Sequence, residues 1–422
     1  MFLTNIASTG ETQDPQSYPV ISSRNVAVFL IDFPDIPQNI KGQFPKVAEA
    51  QDYFVDGLVK DYFTSISYNK LRFSGKVFGY YTMPDSLTKE RQNNEYIIET
   101  TENYDLKIDG YKVEDFDTVV FIIFHHDYEQ GGLSAAGFAS CTINGQRYEN
   151  RNVVYLGAYF PQDDSVVDTY NRTTEYNIRT NVSDMQKYPH PCGLKYNQAI
   201  FIHEFIHQIN GRRNIPHSNT CTNNGKYDFE KPDAEQPDSF FDLEYGNGFD
   251  IMGGGRLALS LNAGYRYLCG WLDTENSHHF NQPGSYVATI FPINRKENKI
   301  AVEIRMKHTE KIEESYPGYF IELREPDRWD ASLANPHLYS NTRGLLVYKT
   351  DGFKTMLLDM SPSKNIVDSN NKHFVDYRDM SLKEGMEYEN SEIKIWNIQD
   401  NNNGSFSMEI KIKNNNILDT WR

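Results

Sequence analysis

The run His203-Glu204-Phe205-Ile206-His207 constrains this chain more than any other feature of its sequence. Its two histidines stand four residues apart, a spacing that brings both side chains to one face of a helix. Apolar residues recur around the run at helical intervals, Asn197 precedes it as a helix cap, and Gly211 follows where a helix usually ends. The pattern therefore predicts a helix that carries two imidazoles and a carboxylate.

Two imidazoles on one helical face can bind a single Zn²⁺, and a neighbouring carboxylate can take a proton from a metal-activated water molecule. We therefore predict His203 and His207 as metal ligands and Glu204 as the general base, which later acts as general acid. These roles are those of a zinc hydrolase.

Catalytic zinc needs a third protein ligand, and His217 is the predicted one, because a chain that turns at Gly211 can bring a nearby imidazole back to the metal. In a typical H-E-x-x-H-x-x-G-x-x-H motif this histidine stands about three residues after the glycine. His217 stands further along, so a carboxylate such as Glu244 or Asp228 is the alternative third ligand.

A second motif, Phe249-Asp250-Ile251-Met252-Gly253-Gly254-Gly255, follows downstream. A methionine in a tight turn can form an apolar floor beneath metal-bound imidazoles, and the glycines allow the turn. Coupled to the first motif, it indicates the methionine turn of a metzincin. Tyr245, just before this turn, is a candidate donor to the developing negative charge of the scissile carbonyl oxygen, although a solvated loop tyrosine has the same sequence signature.

The pattern of apolar residues changes along the chain. Apolar strands at 26–33 and 117–124 and a strand or strand pair at 71–82 alternate with helical segments at 47–67 and 88–106, which indicates a mixed sheet flanked by helices. Beyond Trp271 the apolar segments are short, alternating and separated by turn residues, as is typical of a β-sandwich. We predict an α+β chain with a polar lead-in (1–22), a zincin-like catalytic domain with a mixed sheet and an active-site helix (23–276), and an all-β sandwich domain (277–422).

The formal charge of −16 argues against nucleic acid or an anionic membrane as the main partner, because either would require a basic surface. An apolar share of 39% indicates a folded globular chain. We predict no transmembrane segment, because no apolar run approaches the length of about eighteen residues that spans a bilayer, and residues 1–5 do not resemble a signal peptide. The oligomeric state is left open.

Other segments suggest further sites. The glycine-rich tract 130–137 can form an exposed edge strand on which a peptide substrate lies by strand addition. Cys192 and Cys221 flank the zinc helix and can form a disulfide, while four free thiols in a reducing compartment are the alternative. A long polar loop can hold a structural Ca²⁺ or remain a solvated loop; its carboxylates are Asp228, Glu230, Asp233, Glu235, Asp238, Asp242 and Glu244.

Several motifs together resemble the gametolysin and immune inhibitor A families of zinc peptidases. They are the H-E-x-x-H run, Pro216-His217-Ser218-Asn219, the segment 245–253, the segment 261–272, the opening 29–35 and the strand 319–326. The resemblance implies a secreted zinc endopeptidase that hydrolyses protein substrates and carries a trailing β domain. The alternatives are an inactive binding protein of the same fold, whose β domain recognises a surface protein or glycan, and a zinc hydrolase of a non-peptide bond.

Overall fold

The computed structural model describes residues 20–86, 94–124, 134–158, 196–210, 214–221, 242–243, 246–253, 260–296, 298–306, 317–334, 343–360 and 380–413. They form an α+β structure with mixed sheets and few helices, which confirms the predicted fold class at this level. The chain divides into two compact units, an N-terminal unit with the described residues between 21 and 215 and a C-terminal unit with those from 216 onward.

A six-stranded mixed sheet organises the N-terminal unit, with strand order β2-β1-β4-β6-β5-β3. The strands β2, β1, β4 and β6 run parallel, β5 runs antiparallel to β6, and β3 runs parallel to β5. The elements are β1 (Ser23–Asp32), α1 (Gln38–Lys41), α2 (Val47–Gln51), a π-helical turn (Asp52–Asp56), α3 (Leu58–Ile66), β2 (Arg72–Thr82), α4 (Asn94–Asn103), β3 (Asp105–Leu106), a 3₁₀ turn (Val113–Asp115), β4 (Thr118–Phe124), β5 (Ser134–Ile143), β6 (Gln146–Ala158) and α5 (Tyr196–Gln208).

Continuous apolar runs place β1 and β4 in the middle of this sheet. All seven residues of β4 are buried, as are the last seven of β1, which is the pattern of parallel strands covered on both faces. Stacked aromatic side chains cover one face, where the ring of Phe29 lies 5.3 Å from that of Phe78 and 5.9 Å from that of Phe121. The predicted strands at 26–33 and 117–124 are thereby confirmed.

Aromatic side chains also fix α5 within this unit. Phe205 packs edge-on against Phe63 of α3 and Phe73 of β2, with both pairs of ring centroids 5.3 Å apart. Phe201, one helical turn earlier, contacts Phe54 of the π-helical turn at 5.9 Å.

The helical segment predicted at 47–67 consists of α2, the π-helical turn and α3, while 71–82 is one long strand. Within the helix predicted at 88–106, Asn94–Asn103 form α4, whereas Asp105–Leu106 form the strand β3, so the prediction extended the helix too far at this end.

The hairpin of β5 and β6 lies next to α5, which packs on both strands. Its turn is formed by Asn144 and Gly145, both with positive φ, as the two-residue turn of a twisted hairpin requires. On its far side β5 pairs with β3 only at Thr142 and Ile143. Among the described strands, no other one pairs with that side of β5, so residues 134–141 form an edge.

The C-terminal unit contains a seven-stranded and a four-stranded sheet, with orders β8-β7-β14-β13-β12-β11-β9 and β10-β17-β16-β15. Its elements are β7 (Asn219–Cys221), β8 (Asp242–Leu243), α6 (Ala263–Leu268), β9 (Ser277–Phe280), β10 (Gly284–Ile290), β11 (Ala301–Arg305), β12 (Gly318–Leu323), a 3₁₀ segment (Arg328–Ala334), β13 (Leu345–Thr350), β14 (Thr355–Leu358), β15 (Tyr388–Glu389), β16 (Ile393–Asp400) and β17 (Phe406–Ile412).

Both sheets contribute side chains to one apolar core. Alternate residues of β17 and β10 are buried in it together with residues of β11, β12 and β13. The division between the compact units falls at Pro216, ahead of β7, which pairs with β14, and of α6, which packs on β12. The predicted domain boundary near 277 stays a prediction. These contacts join residues distant in sequence, so local patterns do not indicate them.

None of the helices within the described ranges combines the length and the apolar composition that a membrane span requires.

Candidate metal centre

Helix α5 carries the H-E-x-x-H run and is anchored at both ends. Gln198 donates to the backbone carbonyl of Tyr53 at 2.7 Å, while Arg24 donates through Nε to the carbonyl of Ile209 at 2.8 Å, just beyond the end of the helix. The dipole of α5 also favours a cation such as Arg24 at this C-terminal end of the helix. Asn197, the predicted cap, is instead a buried residue within the helix, whose described part begins at Tyr196.

The two histidines of α5 face the same side. The ring centroids of His203 and His207 lie 4.9 Å apart with their planes at 85°, and both side chains are half-buried. This geometry follows from their spacing, because side chains four residues apart lie one above the other on a helix. The predicted pairing of these imidazoles on one helical face is therefore observed.

The chain returns to α5 shortly after the helix ends. Ile215 donates its backbone N–H to the carbonyl of His207 at 3.0 Å, and its own carbonyl faces Nδ1 of the His207 ring at 2.5 Å. One residue earlier, Asn214 accepts a hydrogen bond from Gln208 at 3.0 Å. Because a carbonyl only accepts, Nδ1 of His207 must carry the proton, which leaves the lone pair on Nε2 for a metal.

His217 follows this return by two residues. One ring nitrogen from each of His203, His207 and His217 lies within 4.8 Å of the others, and all three side chains are half-buried. The backbone and side-chain contacts between His207 and Ile215 explain how His217 reaches the helix despite its long spacing from Gly211.

The donor set fits a transition metal with a preference for nitrogen ligands. Three neutral imidazoles satisfy zinc, copper, iron or nickel, whereas calcium and magnesium prefer oxygen. Three protein ligands also leave a position open for water or substrate, as catalytic zinc sites require. The cluster of His203, His207 and His217 therefore offers a set of donor atoms for a metal of this class.

Glu204 lies on the same helix, directly after His203, and only 7% of its surface is exposed. A carboxylate at this position can accept a proton from a water molecule held at the open position and can release it again. Its location on a helix that is packed through Phe201 and Phe205 restricts the movement of the group that would transfer the proton.

The methionine turn lies beside the strand that follows His217. The carbonyl of Met252 accepts the backbone N–H of Ser218 at 2.8 Å, and Met252 itself is fully buried. A side chain at Gly253 would bring its Cβ to 1.9 Å from the carbonyl oxygen of Asn247, so this position requires glycine. The sequence motif thus corresponds to a tight turn within the C-terminal unit.

Two buried groups around this turn have shifted pKa values. Burial raises the pKa of Asp250 to about 7, against the opposing effects of the Arg324 charge and of the N–H groups of Met252 and Asn262. Burial likewise raises the pKa of Tyr265 far above its ordinary range, so its hydroxyl keeps its proton and donates to the carbonyl of His217 at 2.9 Å.

Other predicted site residues lie outside the described residues. They are Tyr245, Glu244, Asp228 and the remaining carboxylates of the predicted calcium loop, except that the backbone of Asp242 forms part of β8. Cys192 also lies outside them, whereas Cys141 is a buried free thiol and Cys269 is buried. A bond between Cys192 and Cys221 thus stays a prediction.

Sequence reasoning did not find the residues that support the ligands. Ile215 acts through its backbone carbonyl and Asn262 through its backbone N–H, which carry no residue-type signature for a metal site. Arg24 acts through its guanidinium group, but its partner is the backbone carbonyl of Ile209, a residue distant in sequence. One signal was available for Asn262, since an asparagine before an apolar helical run indicates an N-cap, and its side chain accepts the N–H of Tyr265 at 3.0 Å.

Comparison of the sequence with models of known protein families and with curated proteins finds no match.

Proposed function

We propose that this chain is a zinc-dependent endopeptidase that hydrolyses peptide bonds of protein substrates, with Glu204 as general base and then general acid. The observation that carries the proposal is the convergence of His203, His207 and His217, with their ligand nitrogens within 4.8 Å, beside a buried glutamate on the same helix. Such a triad of nitrogen ligands leaves a coordination position for chemistry.

The chemistry is divided between the ion and the chain. Bound zinc supplies a Lewis acid that lowers the pKa of a water molecule to about 7 and polarises the scissile carbonyl. Glu204 takes the proton from that water and delivers it to the leaving amine nitrogen, so no net proton is gained or lost by the side chain. His207 keeps one tautomer throughout because the Ile215 carbonyl accepts a hydrogen bond from its protonated Nδ1.

The edge of β5 supports a peptide as the substrate class. Residues 134–141 pair with β6 on one side, and no other described strand pairs with them on the other. An extended peptide can add to such an edge through hydrogen bonds between the two backbones. These bonds do not depend on the side chains of the peptide. Because β5 packs against α5, a peptide on this edge runs near the helix that carries Glu204.

We further propose the finer organisation that the family resemblance implies. The six-stranded sheet with α5 supports a zincin-like catalytic unit, and the two sheets that share one core support a β-sandwich. The proposal also includes action outside the cell and no nucleic-acid partner, the latter supported by the charge of −16. A structural Ca²⁺ in the acidic loop stays a prediction.

Replacing Glu204 with glutamine tests the reaction. E204Q removes the basic oxygen while preserving shape, so cleavage of an unstructured protein such as casein should fall at least about a hundredfold with zinc content unchanged. The control is E99Q, the same substitution at an exposed site on α4 in the same unit, which should retain full activity. Cleavage by E204Q at the wild-type rate would contradict the proposal. Zinc binding without cleavage of any tested protein by the wild type would favour the inactive binding protein.

A further inference from the structure

Two hydrogen bonds hold the peptide group that joins His217 to Ser218, one at its carbonyl and one at its N–H. The hydroxyl of Tyr265 donates to the carbonyl of His217 at 2.9 Å, and the N–H of Ser218 donates to the carbonyl of Met252 at 2.8 Å. The Tyr265, Ser218 and Met252 side chains are each fully buried. The protein therefore holds the peptide group that follows the His217 side chain in place before any metal binds.

The Ser218 hydroxyl is the centre of a polar network inside the C-terminal unit. It accepts hydrogen bonds from the side-chain amides of Asn247 at 2.9 Å and Asn262 at 3.3 Å. The same amide of Asn262 also donates to the hydroxyl of Thr355 at 2.9 Å. All four residues are buried, so a network whose members satisfy one another makes this region rigid.

Asp250 links the two branches of this network. One carboxylate oxygen accepts the N–H of Met252 at 2.6 Å, and the other accepts the N–H of Asn262 at 2.7 Å. The first bond shapes the turn whose carbonyl holds Ser218. The second holds the residue that caps α6, the helix that carries Tyr265.

We propose that Asp250 and Tyr265 are positioning residues for the third metal ligand, so that the metal affinity of the protein depends on the buried network behind His217. This inference rests on the proposed function, since it assumes that His217 binds the metal. The physical reason is that a ligand fixed in advance loses little conformational freedom on binding, whereas a ligand on a loosened segment must be ordered by the metal.

The Tyr265→Phe variant of the full chain tests the proposal with Zn²⁺ alone as the probe. It removes one hydroxyl and its hydrogen bond to His217 while keeping the ring that fills the core. The matched control is Tyr319→Phe, which removes an equally buried hydroxyl of the same unit that bonds Glu392 and Asn390. Zinc dissociation constants are measured by chelator competition, and the unfolding midpoints of the metal-free proteins are measured in parallel.

The expected result is a split between affinity and stability. Tyr265→Phe should weaken zinc binding about 10- to 100-fold, the range for outer contacts of metal ligands, while Tyr319→Phe should leave it within about twofold. Both variants should lower the unfolding midpoint of the metal-free protein to a similar extent. Equal zinc affinity in Tyr265→Phe and wild type would overturn the proposal, as would equal weakening in both variants.

Two further variants distinguish a failure of this proposal from a failure of the proposed metal site on which it rests. Ser218→Ala should weaken zinc binding like Tyr265→Phe, and it tests the network if the tyrosine variant does not fold. His217→Ala tests the ligand itself. A wild type that binds no zinc, or a His217→Ala variant with unchanged affinity, would refute the metal site. Weakening in His217→Ala with unchanged affinity in Tyr265→Phe and Ser218→Ala would refute the positioning role alone.

Discussion

The Nδ1 nitrogen of His207 and the backbone carbonyl of Ile215 form a hydrogen bond that joins the helix α5 to the chain returning toward His217. This contact has two consequences. It fixes which nitrogen of His207 is available to a metal, and it brings the chain back to the helix two residues before the third histidine. The number of residues between Gly211 and His217 therefore does not by itself determine where His217 lies. The contact at Ile215, where the chain comes back to α5, also contributes.

The first prediction concerns the tautomer of His207. Because the Ile215 carbonyl can only accept, we expect protonated Nδ1 and metal-bound Nε2 when zinc is present. Long-range ¹H–¹⁵N correlation spectra of the zinc-loaded protein, assigned with a His207→Gln variant, report the state of each ring nitrogen. A spectrum in which Nδ1 of His207 binds the metal would contradict the assignment.

The second prediction concerns the reactivity of Cys141. Burial raises the pKa of this thiol to about 11, outweighing the opposite effect of Arg151, so the thiolate is scarce at pH 8. We expect alkylation by iodoacetamide at pH 8 to be at least about a hundredfold slower in the folded protein than in urea, where the pKa is about 8.5. Peptide mapping by mass spectrometry separates Cys141 from the other cysteines.

The pH dependence of that reaction has a definite sign. Because the folded-state pKa is raised, the neutral thiol is favoured, and its contribution to stability is complete below the unfolded pKa and is lost as the pH rises toward about 11. Labelling of Cys141 in the folded protein should therefore accelerate with pH up to that value. Rapid labelling at pH 8 that does not change with pH would show that the thiol is not buried.

The third prediction compares a buried and an exposed arginine of the C-terminal unit. Arg324 donates to Glu322 at 2.7 Å and to Asp330 at 2.9 Å, and all three residues are buried. The Arg324→Met variant leaves two buried carboxylates without their cation, so its free energy of unfolding should fall by about 3 to 5 kcal/mol. Urea titration followed by fluorescence measures the change.

Arg343 provides the control for that comparison. It bonds Asp400 at 3.0 Å, but 54% of its side chain is exposed, so solvent screens the pair. Arg343→Met should therefore lower the free energy of unfolding by less than about 1 kcal/mol. Similar losses in Arg324→Met and Arg343→Met would mean that burial does not govern the strength of these pairs.

Sequence patterns predicted the parts of this fold that depend on local spacing. The facing imidazoles of His203 and His207 follow from helix geometry, and the buried strands β1 and β4 follow from continuous apolar runs. The hairpin of β5 and β6 also had a local signal, the Asn144-Gly145 pair, which we did not use.

Distant contacts account for what the sequence did not predict. Residues Asn219–Cys221 pair with β14, more than a hundred positions further along, and they lie in a segment that has no strand periodicity of its own. The support of His217 comes in the same way from Tyr265 and Met252, through backbone atoms that any residue type possesses. Such contacts depend on the path of the whole chain, which local composition does not specify.

Zinc K-edge X-ray absorption of the zinc-loaded full chain tests the central claim most directly, because it counts and identifies the ligands. We predict three imidazole nitrogens and one further oxygen or nitrogen at about 2.0 to 2.1 Å, with the multiple-scattering pattern of one imidazole lost in His217→Ala. A site with two imidazoles and a carboxylate, one with sulfur at about 2.3 Å, or a spectrum unchanged by His217→Ala would contradict the account.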